Sequence, residues 1–356
     1  MRIIDYSKIK KILISRTDRI GDVVLSTPVF STIKAQYPNV HISAMVLKDT
    51  APIVCGNPWI DEVIIFDKKG KHKNWLHTFF FGLDLRNQKF DVAIHLHATN
   101  RVNVVSWAAG IPVRIGYQVL QGKHGKNDFL LTHKIKEQKW QGKKHEAEYN
   151  FDLLKFIGVP QPEHLKLYFP LIQSDFNDLS RIAPTQSLGD RYVVFHPSAS
   201  CISKRWPPER LAQVADHLRS RYGILPVIIG EAEGAQHAQK MQNMMKGKSL
   251  NLSQKLSLGM LGWLLKRARL LISNDSGPVH LAAAVGTPVI SIFGRNQPGL
   301  NPVRWRPISE RSSYIHKDVG CVVCLAHKCE INFKCLTELL VDDVLYVVKQ
   351  YEPLLV

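Results

Sequence analysis

The feature that most constrains this chain is a rhythm in which short β-branched runs alternate with helix-length amphipathic stretches, and the whole rhythm occurs twice. Residues 11–15, 41–47, 62–66 and 90–95 read as strands, and the first runs into a helix over about 21–37 carrying Val24, Pro28, Ile33 and Ala35. Another helix is expected to carry Trp75, Leu76, Phe79, Phe80 and Leu83 on one side. After a linker region over 170–189, rich in Asp, Ser, Pro and Gln, strands are expected at 192–196, 226–230, 270–273 and 289–293, with helices at 208–222 and 278–285. Strands spaced by helices imply parallel sheets with right-handed crossovers. A length of 356 residues exceeds what one hydrophobic core usually supports, so the reading is two α/β domains, 1–175 and 190–356. Two such units facing each other leave a cleft, and ligands of α/β sheets bind beyond the carboxyl ends of the strands.

Those carboxyl ends hold the residues that carry chemistry. The sharpest signal is Ser273-Asn274-Asp275-Ser276-Gly277-Pro278-Val279-His280, between a strand and a helix. Asp275 or Ser276 can cap the helix, Pro278 suits its first turn, and Gly277 lets a ligand approach the backbone where helix N–H groups meet phosphate oxygens. The plainer alternative is an ordinary strand-to-helix turn. A second segment, His196-Pro197-Ser198-Ala199-Ser200 followed by Lys204-Arg205-Trp206-Pro207, offers hydroxyl donors and a compact cation for the same phosphate, while Trp206 and Pro207 anchor the next helix. Gly230-Glu231-Ala232-Glu233 closes the strand between them, so Glu231 is placed either to accept from ribose hydroxyls or to cap a helix.

In the first half, Arg16-Thr17-Asp18-Arg19-Ile20-Gly21-Asp22 leads from the opening strand into its helix. It has neither the GxGxxG spacing nor a GK[ST] phosphate loop, which argues against a standard dinucleotide site. Asp22 at a helix start is favoured as a carboxylate by the macrodipole; facing a cleft, it is also positioned to take a proton from an attacking hydroxyl.

Taken together, these motifs resemble the lipopolysaccharide heptosyltransferases of glycosyltransferase family 9, ADP-heptose-dependent enzymes of the GT-B type with two facing Rossmann-like domains. The resemblance runs from the opening strand with Gly21-Asp22, through Lys204-Arg205-Trp206-Pro207, to Asp275-Ser276-Gly277 with His280 and the strand ending Phe293-Gly294. It implies an inverting transfer of heptose from ADP-L-glycero-D-manno-heptose to the lipopolysaccharide core. Asp22 then matches the catalytic base and Lys204 the cation against the diphosphate. Asp275, Ser276, Gly277, His280 and Ser200 match donor-binding positions, beside Glu231. No cofactor and no catalytic metal are implied, the donor being a substrate. Ser198, where many members have Gly, and Pro278, where a bulky apolar residue is common, depart from the pattern. The acceptor loop over 118–126 has no readable code.

Composition narrows the partners. Lys and Arg number 47 against 30 for Asp and Glu, a net charge of +17, which favours anionic ligands. No apolar stretch is long enough to span a bilayer and no signal-peptide core opens the chain, so a cytoplasmic enzyme is expected. The basic and aromatic stretch from Lys68 to Phe81 fits either peripheral contact with an anionic inner membrane or a solvent loop before a core helix. Nucleic acid is a poor fit, because basic residues do not cluster on one recognition helix. Another nucleotide-sugar donor remains the alternative on the same fold. Cys321, Cys324, Cys329 and Cys335 form C-x2-C-x4-C-x5-C within a Cys-rich tail segment, 321–335, compatible with a structural zinc or with a thiol cluster.

Overall fold

A computed structural model of the chain describes residues 4, 8–118, 125–184, 188–321 and 323–356. The chain divides into two compact units, Met1–Trp140 with Lys144–Pro170, and Gln141–Lys143 with Leu171–Val356.

The first unit contains β1 (Lys11–Arg16), α1 (Ile20–Val24), α2 (Thr27–Gln36), β2 (His41–Val46), β3 (Glu62–Ile65), α3 (Trp75–Asp84), β4 (Val92–His95), α4 (Asn100–Ala108), β5 (Val113–Gln118), β6 (His133–Lys136) and α5 (Glu146–Leu154). Its strands form one sheet in the order β3-β2-β1-β4-β5-β6, with every pairing parallel. Order reverses between β1 and β4, where Ser15 sits opposite His95. The loops leaving these two strands therefore meet at the switch point, the usual ligand position in a doubly wound sheet.

The second unit contains α6 (Gln173–Ile182), β7 (Tyr192–His196), α7 (Pro208–Tyr222), β8 (Leu225–Ile228), α8 (Ala235–Met244), β9 (Leu250–Asn251), α9 (Leu258–Arg267), β10 (Leu270–Asn274), α10 (Gly277–Val285), β11 (Val289–Phe293), β12 (Ser312–His316) and α11 (Val341–Val348). The sheet order is β12-β11-β10-β7-β8-β9, again all parallel. Its switch point lies between β7 and β10, with His196 opposite Ser273. These two strands and β11 are buried along their whole length, as expected for a sheet covered on both faces. Their Val193, Phe195, Leu270, Ile272, Ile290 and Ile292 pack with Leu211, Val214 and Leu218 of α7 in the core.

Three expectations are corrected. The helix over 21–37 is two helices, because Pro28 has no N–H to give the Val24 carbonyl, and the Thr27 hydroxyl takes that carbonyl instead at 2.7 Å. The linker over 170–189 contains α6, which packs on α9 through Phe176 and Trp263, rings 5.1 Å apart; residues 185–187 lie outside the described residues. On α3 the buried residues are Thr78 and Gly82, while Trp75, Leu76 and Phe80 face solvent. A Cβ at Gly82 would stand 2.7 Å from the Val105 carbonyl, so glycine is what lets α3 lie close on α4. In the loop over 118–126, residues 119–124 lie outside the described residues.

Candidate functional site

At the switch point of the first unit, the end of β1 delivers Arg16 into the interior. Its guanidinium is almost fully buried and spreads over five partners. Nε donates to Asp18 at 2.9 Å, Nη2 to Asp22 at 2.7 Å and to Glu146 at 3.0 Å, and Nη1 to Asn150 at 3.0 Å and to the Leu96 carbonyl at 3.4 Å. Glu146 also takes Lys139 Nζ at 2.7 Å, and His97 Nδ1 stands 3.4 Å from Asp18. Three carboxylates thus share two buried cations. Burial opposes the charge on Arg16, yet Asp18, Asp22 and Glu146 hold its proton more tightly than usual. Burial first, and then the negative charge of Asp18, push Asp22 up to about 6 against the pull of Arg16. Asp18 is also raised, chiefly by burial, and His97 is held down to about 3 by burial and by Arg16.

The macrodipole expected to favour ionised Asp22 is overruled. Helix α1 is only five residues long, so its dipole is small beside the cost of desolvation and the neighbouring carboxylates. Asp22 remains partly accessible, 16% exposed at the side chain, so it can meet a ligand while keeping a raised proton affinity. That combination suits a general base working near neutral pH.

In the second unit, the loops after β7 and β10 join Lys204 to Asp275. Lys204 Nζ lies 2.8 Å from the Asp275 carboxylate and donates to the Asp275 carbonyl at 3.1 Å. Arg295, just beyond β11, reaches the same carboxylate at 3.3 Å. Two cations on one acid leave a local excess of positive charge, which suits a diphosphate. Asp275 therefore acts as a clamp that fixes Lys204 and Arg295, and its carboxylate does not cap α10. Ser276 holds the N-cap position but makes no capping bond, since its hydroxyl donates to the Asn274 carbonyl at 3.0 Å and pairs with His196 Nδ1 at 2.9 Å. The start of α10 is left with Gly277 and no side-chain cap.

Glu231 joins this cluster through His196. His196 Nε2 lies 3.1 Å from Glu231, and Ser198 Oγ donates to both carboxylate oxygens at 3.2 Å. The bond with His196 is the main reason that the Glu231 carboxyl is lowered to about 2. Its side chain is still 53% exposed, so a carboxylate held ionised stays open to solvent. Ser198 is buried in this network, with the backbone of Gly234 packed against its hydroxyl where any larger residue would collide. Trp206 is buried and anchors α7, its amide bonded to Asn274 and its indole to the Leu339 carbonyl, both at 3.0 Å.

The structure thus brings together Lys204, Asp275, Ser276, Gly277 and Glu231. His280 is buried one turn along α10, and Ser200 is exposed at the end of the loop after β7. Arg295 and His97 were missed by the sequence reading and His196 was given no role of its own in it, although each follows the rule that located the others, at or just past the carboxyl end of a strand. Among the described residues the cysteines are thiols, and no group of three or more His, Cys, Asp or Glu side chains stands in metal-binding reach. Burial, reinforced by Cys324, Cys329 and Cys321, pushes the Cys335 thiol up to about 11.

Two doubly wound parallel sheets in one chain are the layout of the GT-B class of glycosyltransferases. The chain belongs to glycosyltransferase family 9 (heptosyltransferase), whose sequence profile matches residues 79–334, more than two thirds of its length. It is 28% identical over 342 residues to lipopolysaccharide heptosyltransferase 3 of Escherichia coli K12, covering 94% of this chain and 95% of that protein. Among solved structures it is similar to the family 9 glycosyltransferase of Veillonella parvula, with 24% identity, a TM-score of 0.85 and 98% of both chains covered. The E. coli ADP-heptose heptosyltransferase II superposes with a TM-score of 0.73 at 21% identity, over 97% of this chain and all of that one.

Proposed function

We propose that this enzyme transfers heptose from ADP-L-glycero-D-manno-heptose to the lipopolysaccharide core oligosaccharide, with inversion at the anomeric carbon. Two observations carry the reading, an excess of positive charge around Asp275 in the second unit and, in the first, an accessible carboxylate of raised proton affinity at Asp22. In this reading Asp22 takes the proton of an acceptor hydroxyl as its oxygen bonds to the anomeric carbon. The bond from that carbon to the diphosphate breaks with its electrons, and ADP leaves. Lys204 and Arg295 neutralise the charge gathering on the departing diphosphate, a role in which fixed cations are most effective because they need no reorganisation. Gly277 and Ser276 offer the start of α10 to a phosphate oxygen, Glu231 accepts from ribose, and Ser200 and His280 complete the donor contacts. Cationic side chains here do the work that a bound metal does elsewhere, and no cofactor takes part.

The enzyme is proposed to work in the cytoplasm on a lipid-linked saccharide; no helix among the described residues is long and apolar enough to cross a membrane. The test is incubation of the pure protein with ADP-heptose, or with UDP-sugars, and a core-truncated lipopolysaccharide, read by mass spectrometry. A gain of one heptosyl residue with ADP-heptose alone is expected. Transfer from a UDP-sugar instead would move the enzyme to another donor.

Lys204→Ala should weaken ADP binding and slow transfer together, because substrate and leaving group carry the same charge; a combined loss of about 10²-fold in kcat/KM is expected. Unchanged steady-state kinetics would remove Lys204 from the site.

A further inference from the structure

We propose that α3 and α4 form a docking face by which the first unit binds an anionic phospholipid bilayer. In an ordinary surface helix the large apolar residues turn inward and small or polar ones outward. Here α3 does the reverse: Thr78 and Gly82 are buried against α4, while Trp75 is 51% exposed, Leu76 62% and Phe80 50%. Trp107, on α4, is 49% exposed and continues the patch. Phe79 links the two helices, its ring 6.1 Å from that of Phe80 and 6.2 Å from that of Trp107. The close seat of Gly82 on Ala108 and Val105 holds the helices in this arrangement, so the patch is built into the packing.

Charge identifies the occupant. Lys69, Lys71 and Lys73 are exposed immediately before α3, and no acidic residue occurs in the helix until Asp84 at its last position. Arg101 fixes this basic segment beside the aromatic ridge: Nη1 donates to the His72 carbonyl at 3.0 Å and to Thr78 Oγ1 at 2.7 Å, Nη2 donates to the Lys73 carbonyl, and the guanidinium lies 4.9 Å above the Trp75 ring. The acid within the segment, Asp67, is turned back to accept the amides of Gly70 at 2.9 Å and Lys71 at 3.1 Å. Lys68 and Phe81, the ends of the stretch singled out in the sequence, are not part of the face. Lys68 donates to the Thr17 carbonyl at 2.8 Å, and Phe81 stacks on Phe66 and His72. Indole and phenyl rings next to lysines match the interfacial zone of a membrane, where the rings settle at headgroup depth and the ammonium groups meet lipid phosphates.

The proposal goes beyond the transfer reaction and is tested apart from it. The full chain is sedimented with vesicles of phosphatidylcholine containing about one part in three phosphatidylglycerol, and with pure phosphatidylcholine vesicles, across a salt series. Binding to the anionic vesicles is expected, weakened by salt and by omission of phosphatidylglycerol. Trp75→Ser/Phe80→Ser and Lys71→Glu/Lys73→Glu are each expected to lower the partition at least about tenfold, while ADP binding by calorimetry stays as in the parent chain. The proposal is overturned if the parent chain stays in solution with anionic vesicles at low salt, or if both variants bind as it does. It is equally overturned if the aromatic substitutions instead dissociate a dimer in sedimentation velocity with vesicle binding intact, which would assign the face to a second copy of the chain.

Discussion

Replacing Asp22 with Asn is expected to reduce kcat by about 10³-fold while leaving ADP affinity unchanged, the loss expected for removal of a positioned general base. Asparagine keeps an oxygen for Arg16 Nη2, so the network around it survives and the change isolates proton transfer. In the parent enzyme the base must be ionised to work, so kcat should fall as pH drops through about 6, the value to which burial and Asp18 raise Asp22. Stability should move the other way. A carboxyl whose folded-state pKa lies above its unfolded value binds more protons in the folded state between about 4 and 6, so the stability it contributes at low pH is lost as pH rises through that window. Above it the ionised carboxylate costs the fold something that asparagine does not. Asp22→Asn should therefore be as stable as the parent below about pH 4 and more stable at pH 7.5, as urea unfolding would report. Retention of a tenth or more of the parent kcat would assign the base elsewhere.

That opposition between function and stability was out of reach of the sequence, and the reason is physical. The central strands of the second sheet were legible because a strand covered on both faces must be an apolar run, and Tyr192–His196 and Val289–Phe293 appear in the structure with the boundaries expected. The Asp275-Ser276-Gly277 turn was legible because Gly and Pro punctuate a strand-to-helix junction. What surrounds Asp22 was not. Glu146 lies 130 residues from Arg16 and Asn150 lies 134, and nothing local in either marks it as the partner of a buried guanidinium. Helix α5, which carries both, starts with a capping box built on His145, a residue outside the usual Ser, Thr, Asp and Asn signal. Asp275 and Glu231 were read either as donor contacts or as helix caps, and what the sequence did not show is that the first clamps two cations and the second is tied to His196 and Ser198. Side-chain partners set by tertiary packing decide such roles, and spacing along the chain does not encode them. The same holds for α3, where a hydrophobic run that reads as core is turned outward because its small residues are the ones that fit α4.

Arg16→Met is expected to destabilise the first unit by about 3–5 kcal/mol at neutral pH, the usual cost of removing one member of a buried ionic cluster. Methionine fills most of the volume, so the effect measured is electrostatic. Three carboxylates would then share only Lys139, which already engages Glu146 at 2.7 Å. Asp18 and Asp22, deprived of the charge that opposes their burial, would bind protons more tightly still. Both groups already have raised pKa values, so the variant gains protons relative to its unfolded state as pH falls. The deficit should accordingly be largest above pH 7 and shrink on acidification toward 5. Arg16→Lys should fall between parent and Met variant, since a single ammonium keeps the charge but cannot reach Asp18, Asp22, Glu146 and Asn150 together. Hydrogen exchange of the Leu96 amide, which bonds the Ser15 carbonyl at 3.1 Å beside the network, reports opening of this switch point directly. If that amide exchanges in Arg16→Met as slowly as in the parent, the carboxylates are being held by something other than Arg16, and the pull that opposes the raised proton affinity of Asp22 comes from a different cation.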